Sequence, residues 1–122
     1  MEVLLSIKPE FANKIFDGEK KFEYRRAIFK RLDVNKVIVY ASAPISKVIG
    51  EFEIAGIITD EISSLWDKTK EHSGITKDFF FEYFNGREIG HAIAVKKCIK
   101  YSDPCCIETT FGIKPPQSFV YI

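Results

Sequence analysis

The chain reads as α+β and mainly β: a small mixed or antiparallel β-barrel with about three helices at its ends. Three observations predict this. Val/Ile-rich and alternating segments outnumber helical ones. The elements follow the order β-α-β-β-β-α-α-β-β, without the regular βαβ alternation of a doubly wound parallel sheet. The 46% hydrophobic content includes 11 Phe, 5 Tyr and 1 Trp, enough large side chains to fill a barrel interior. A length of 122 residues predicts one domain.

The elements can be justified in order. Val3 to Ile7 is an apolar run and predicts a buried strand. Pro9 suits the first turn of a helix, and Phe11, Ala12, Ile15 and Phe16 form its apolar stripe. Gly18 predicts a left-handed cap. Lys20 to Arg26 alternates as a strand, with Phe22 and Tyr24 on one side and Lys21, Glu23 and Arg25 on the other. Lys20 sits at the strand entrance, where parity does not fix its direction. Lys36 to Tyr40 predicts a central strand, broken by Ala41-Ser42-Ala43-Pro44. Val48 to Thr59 predicts a long strand with Glu51 and Glu53 outward and Phe52 and Ile54 inward. Within it, Gly50 and Gly56 mark bends or bulges.

Asp60 is the expected cap of a helix carrying Ile62, Leu65 and Trp66, stopped by Gly74. Thr76 is the expected cap of a second helix, with Phe79, Phe80, Tyr83 and Phe84 on one side and Asn85-Gly86 at its end. That spacing assigns the Phe/Tyr cluster to the core, with Phe81 as its most exposed ring. Ile89 to Tyr101 predicts another long strand. Ser102 to Gln117, with Pro104, Pro115 and Pro116, reads as loop, and Ser118 to Ile122 as a closing strand.

Composition excludes several classes. The net charge of +1 argues against a strong global field. It is unevenly spread: residues 1–50 carry +4, residues 51–92 carry −5 and residues 93–122 carry +2. No apolar run approaches the roughly 20 residues of a membrane helix. The first residues lack the basic region and cleavage site of a signal peptide. Cys98, Cys105 and Cys106 are odd in number and two are adjacent, which suits a reducing, cytoplasmic setting better than a disulfide framework. His72 and His91 stand in no zinc spacing with them, so no metal or cofactor is expected. No phosphate-binding loop, dinucleotide fingerprint or hydrolase elbow occurs.

The most informative stretch is Gly18-Glu19-Lys20-Lys21-Phe22-Glu23-Tyr24-Arg25, with the pattern G-x-K-x-x-E-x-R. It is preceded by Ser6-Ile7-Lys8-Pro9 and by a helix ending Phe16-Asp17-Gly18. The chain closes on Pro116-Gln117-Ser118-Phe119-Val120-Tyr121-Ile122. With these segments in this order, the sequence resembles the ASCH domain family, a branch of the PUA-like β-barrels, and in particular its small single-domain prokaryotic members. The resemblance implies a PUA-like barrel and an RNA-related role. Members include RNA-binding modules, ribonucleases and hydrolases of acetylated nucleosides. In the nucleoside amidohydrolase branch the lysine works with a threonine nucleophile. The matching position here is Glu23, so that nucleophile does not carry over.

On chemical grounds Arg25 suits a phosphate or an ion pair with Glu23. Lys20 suits a phosphate or a base carbonyl, and Glu23 an exocyclic amine or a general base. The alternative is that Glu23 and Arg25 form a solvated or structural pair. Lys8, before a helix start, is a further ligand candidate. Arg26, Lys30 and Arg31 extend the basic stretch and can steer phosphates or lie on a solvated face. Tyr40, Ser42, Gln117 and Ser118 are candidates for pocket walls, with core packing as the alternative.

Three functions follow as expectations. The first is an RNA- or modified-nucleotide-binding module with a Lys20/Glu23/Arg25 cleft. The second is a small hydrolase of RNA or of an acylated nucleoside, with Glu23 as base and Lys20 as stabiliser. The third is a protein-interaction domain accessory to a transcription regulator. The sequence leaves the oligomeric state open.

Overall fold

The computed structural model describes residues 1–122. Its elements are β1 (Glu2–Ile7), α1 (Pro9–Phe16), β2 (Phe22–Arg25), β3 (Lys36–Ala41), β4 (Lys47–Glu61), α2 (Ile62–Thr69), α3 (Lys77–Tyr83), β5 (Ile89–Cys105), α4 (Ile107–Phe111) and β6 (Phe119–Tyr121). A short 3-10 turn, Lys70–His72, links α2 to the loop before α3. The six strands form one mixed sheet in the order β2-β5-β4-β3-β1-β6. Only β1 and β3 run parallel; every other pairing is antiparallel.

The sheet curls into a half-barrel, the mainly-β architecture expected from the sequence. Curling needs bends in the long strands, and β4 supplies them. Its register with β5 shifts beside Gly50 and again beside Gly56. The strand ladder does not close on itself. Side chains link the two edges instead. Arg25 on β2 donates to the Ser6 carbonyl of β1 at 3.2 Å and to Ser118 Oγ, just before β6, at 2.7 Å. Tyr121 Oη on β6 accepts from the backbone N–H groups of Lys30 and Arg31 at 2.9 and 3.2 Å.

β1 and β3 are apolar at almost every position because both sheet faces are covered there. Val3, Leu5, Ile7, Val37 and Val39 face Ala12 and Ile15 of α1 in the main core. Leu4, Ile38 and Tyr40 face the other way, onto Val48 and Ile107. That second face requires a cover, and α4 provides it. The Pro-flanked tail is therefore partly helical, where the sequence predicts loop. Five residues give too little periodicity to show it, although Gly112 ends the helix at φ 69°.

A third cluster joins α2 and α3 to β2 and β5, with Leu65, Phe80 and Phe84 packed on Tyr24 and Ala92. Phe80 and Trp66 meet with ring centroids 4.9 Å apart. The exposed ring of this helix is Phe79, not Phe81; Phe81 packs at the edge of Trp66 and Phe80. The strand before α2 runs farther than expected, so Glu61, not Asp60, caps the helix by accepting from Ser63 N at 3.1 Å. Asp60 is bonded to Lys68 Nζ at 2.6 Å. Thr76 caps α3 as the sequence predicts, accepting from Phe79 N at 3.1 Å.

Candidate functional site

A cavity of about 330 Å³ lies where the edges of the half-barrel approach one another. Lys20, Glu23, Tyr24 and Arg25 reach it from the loop after α1 and from β2. Phe11 of α1 and Phe79 and Tyr83 of α3 bring aromatic walls. Ser42 and Gln117 add neutral polar groups from the turn after β3 and from the C-terminal segment. A half-open apolar wall with a few convergent polar groups is the usual form of a small-ligand site.

Lys20 is 2% exposed, which is unusual for an ammonium. It precedes β2 and is held by a strap, residues 72–75, more than fifty positions along the chain. The backbone of Lys21 bonds to the His72 carbonyl at 2.9 Å. Lys20 Nζ donates to the Ser73 carbonyl at 2.9 Å, and Lys14 Nζ donates to the adjacent Gly74 carbonyl at 3.1 Å. The ammonium also lies 4.6 Å from the centroid of the Tyr24 ring and 5.4 Å from that of Phe11. Burial is the main reason that its pKa falls to about 8. Lys14 adds to that fall and Glu23 opposes it.

Gly74 fixes the stem of that lysine. A Cβ at Gly74 would stand 2.5 Å from Lys20 Cβ and 3.1 Å from Lys20 Cα, atoms that cannot move without the backbone. Its φ of +69° is also a left-handed value that favours glycine. Gly74→Ala is expected to destabilise the fold by about 2–3 kcal/mol, combining overpacking with left-handed strain. A urea melt measures this. A change below about 0.5 kcal/mol would show that the strap is free to shift.

Glu23 is 5% exposed and hydrogen-bonds Arg25 Nη1 through Oε2 at 3.2 Å. Burial raises its pKa; Lys20 and then Arg25 work in the opposite sense. Arg25, whose side chain is 12% exposed, spends its guanidinium on Glu23, the Ser6 carbonyl and Ser118 Oγ. The cavity floor thus holds a buried carboxylate and a buried ammonium without a direct ion pair between them.

A family model for the ASCH domain matches residues 5–104. This chain belongs to the ASCH domain family. Its fold matches the crystal structure of ASCH from Zymomonas mobilis with a TM-score of 0.91 at 26% identity, over 99% of this chain and 87% of that one. An ASCH domain-containing ribonuclease of Z. mobilis is 27% identical over 126 residues, 99% of this chain and 84% of that protein. The large ribosomal subunit protein uL22 of Ureaplasma parvum is 32% identical over 123 residues. The alignment takes in 98% of this chain but only 39% of uL22, so the chain spans about two fifths of that relative.

Within this ASCH domain, Lys8, Lys20, Glu23, Arg25, Ser42 and Gln117 all border the one cavity. Ser118 stands behind them and touches the site through Arg25. Tyr40 is not brought there. It points to the opposite sheet face and is buried among Leu4, Ile38, Val48 and Ile107, the packing role that was its alternative. Glu23 and Arg25 form a pair, as their spacing allows, but a buried one and not a solvated one. Sequence reasoning missed Phe11, Phe79 and Tyr83 as walls. Phe79 follows Thr76 by three residues, which places it on the first turn of α3 beside the cap, and a position so near a helix end is the available signal that it leaves the core stripe.

The ASCH cavity can therefore offer an acceptor and a donor side by side. Glu23 Oε2 is occupied by Arg25, which leaves Oε1 for a ligand N–H. Lys20 uses one N–H on Ser73, which leaves two for a carbonyl or anionic oxygen.

Proposed function

We propose that this ASCH domain binds RNA or a modified nucleotide, taking one unstacked base into the cavity. The observation that carries this reading is the pairing of two buried, opposite charges, Lys20 and Glu23, with aromatic walls in one half-open hollow. Single-stranded bases are recognised by ring contacts and by hydrogen bonds to their edges, and this cavity provides both. The near-neutral chain predicts a short ligand and not long duplex tracking. The Z. mobilis relative named as a ribonuclease supports an RNA-related substrate.

Filter binding of short single-stranded RNA, measured across salt and pH, tests the reading. Binding should weaken as salt rises. It should also weaken as pH rises through about 8, because Lys20 loses the proton that makes it a cation. Fold stability should move the other way. The pKa of Lys20 is lowered on folding, so between about 8 and the ordinary 10.5 the unfolded chain binds the extra proton. Stability from this group therefore rises with pH across that window. Absence of binding at low salt and pH 7 would overturn the reading. Binding that strengthens above pH 8 would remove the charged role of Lys20.

A second reading, hydrolysis of RNA, is favoured by the opposed proton affinities of the two floor residues. Burial holds the Glu23 carboxyl up and brings the Lys20 ammonium down, the arrangement by which one site keeps both an acid and a base. Glu23 would take the proton from the attacking hydroxyl. As the new bond to phosphorus forms, the phosphorus–oxygen bond to the leaving alcohol would break and that oxygen would take a proton back from Glu23, while Lys20 would stabilise the charge that develops on the phosphoryl oxygens. Turnover of labelled RNA that survives Glu23→Gln would refute these roles.

A further inference from the structure

The cations around the cavity differ in whether their hydrogen-bonding capacity is already used. Arg25 has the right fork for a phosphate, but three of its five N–H donors are taken by Glu23, the Ser6 carbonyl and Ser118 Oγ, and its side chain is largely buried. Lys20 lies on the buried floor against Tyr24, Phe11 and Ser73, where it meets the part of the ligand that enters the hollow. Arg26, the next residue, is different. It is exposed at the rim, borders the same cavity, forms no ion pair and donates no side-chain hydrogen bond. Its guanidinium is nonetheless held in place, because it lies over the Tyr83 ring with the carbon 4.7 Å from the centroid. Tyr83 is itself fixed by its hydroxyl, which donates to the Tyr24 carbonyl at 3.2 Å. Lys8, exposed and without an acidic partner, borders the cavity as well.

From this we infer that Arg26, with Lys8, is the phosphate-holding pair of the site, and that the ligand is a phosphorylated nucleotide unit and not a free nucleoside. The inference rests on the proposed base-binding role of the cavity and adds the part of the ligand that stays outside it. The division of labour follows from burial. A phosphate carries a full charge and a strong hydration shell, so it is held at the rim, where desolvation is small. A neutral base gives up little hydration and enters the aromatic hollow. The planar Arg26 fork can meet two phosphate oxygens at once, and the stack on Tyr83 reduces the side-chain entropy lost on binding. Arg25, with both terminal nitrogens already bonded within the protein, serves mainly as architecture.

Calorimetric titration of the four ribonucleosides, their 3′- and 5′-monophosphates and inorganic phosphate tests this. The preferred nucleoside should bind, and one of its monophosphates should bind about tenfold tighter or more, as expected for one charge-assisted contact. Arg26→Gln should bring that ratio to within about twofold of unity. Lys8→Gln should reduce the ratio in part. Inorganic phosphate alone should bind weakly, and only with Arg26 present. Both residues are exposed, so the variants should unfold with the wild-type midpoint. A nucleoside that binds as tightly as both of its monophosphates would overturn the inference and leave the base-binding reading standing. So would a ratio unchanged in Arg26→Gln. Failure of every nucleoside and nucleotide to bind would instead overturn the base-binding reading, and the inference with it.

Discussion

Arg25→Met is expected to destabilise the fold by about 3–5 kcal/mol, the usual cost of removing one partner from a buried ion pair. Two losses combine. The Glu23 carboxylate, 5% exposed, would remain inside with no hydrogen-bond donor. The side-chain links from β2 to Ser6 and to Ser118 would also go, and no ladder hydrogen bonds replace them between those edges. The double variant Arg25→Met, Glu23→Gln should recover part of the loss, because the neutral amide removes a buried charge left without a hydrogen-bond donor. Urea unfolding of the two variants separates the terms. A loss below about 1 kcal/mol in the single variant would mean that the half-barrel holds its shape without Arg25. Equal losses in both variants would assign the whole effect to the edge links.

The same residue shows what the sequence could and could not convey. Alternation along β2 set Phe22 and Tyr24 apart from Glu23 and Arg25, and Phe22 and Tyr24 do join the cluster under α2 and α3. It could not show that both sides of this short strand are covered. Phe22 and Tyr24 pack beneath α2 and α3, Glu23 and Arg25 face the cavity, and the Tyr24 ring borders both. Parity gives direction, whereas burial depends on which distant segments arrive. The strap that seals Lys20 comes from residues 72–75, and its grip includes backbone carbonyls, which carry no side-chain signature. Tyr40 shows the converse. Its place at a strand end suggested a pocket wall, but the strand is covered on both faces and Tyr40 belongs to the side that α4 closes. The helix cap moved from Asp60 to Glu61 because strand pairing continues two residues past Thr59, up to Glu61 opposite Ile89, which no local pattern fixes.

Lys20→Met is expected to weaken binding of short RNA about 10–100-fold while leaving stability within about 1 kcal/mol of wild type. The functional loss corresponds to one charge-assisted hydrogen bond made by a buried cation. The near-neutral effect on stability has a separate origin. Methionine keeps an unbranched stem against Gly74, Tyr24 and Phe11, and it removes an ammonium whose burial is unfavourable enough to lower its pKa to about 8. That gain offsets the lost bond to the Ser73 carbonyl. Glu23 reports on the change. Lys20 is the largest influence opposing the rise in its pKa, so the Glu23 carboxyl should rise further in the variant, readable by NMR titration of its side-chain carbon. A residue kept for packing alone would show the reverse pattern, with stability lost and binding retained. If Lys20→Met unfolds at much lower urea and still binds RNA like the wild type, the buried ammonium is structural and the cavity floor has no part in recognition.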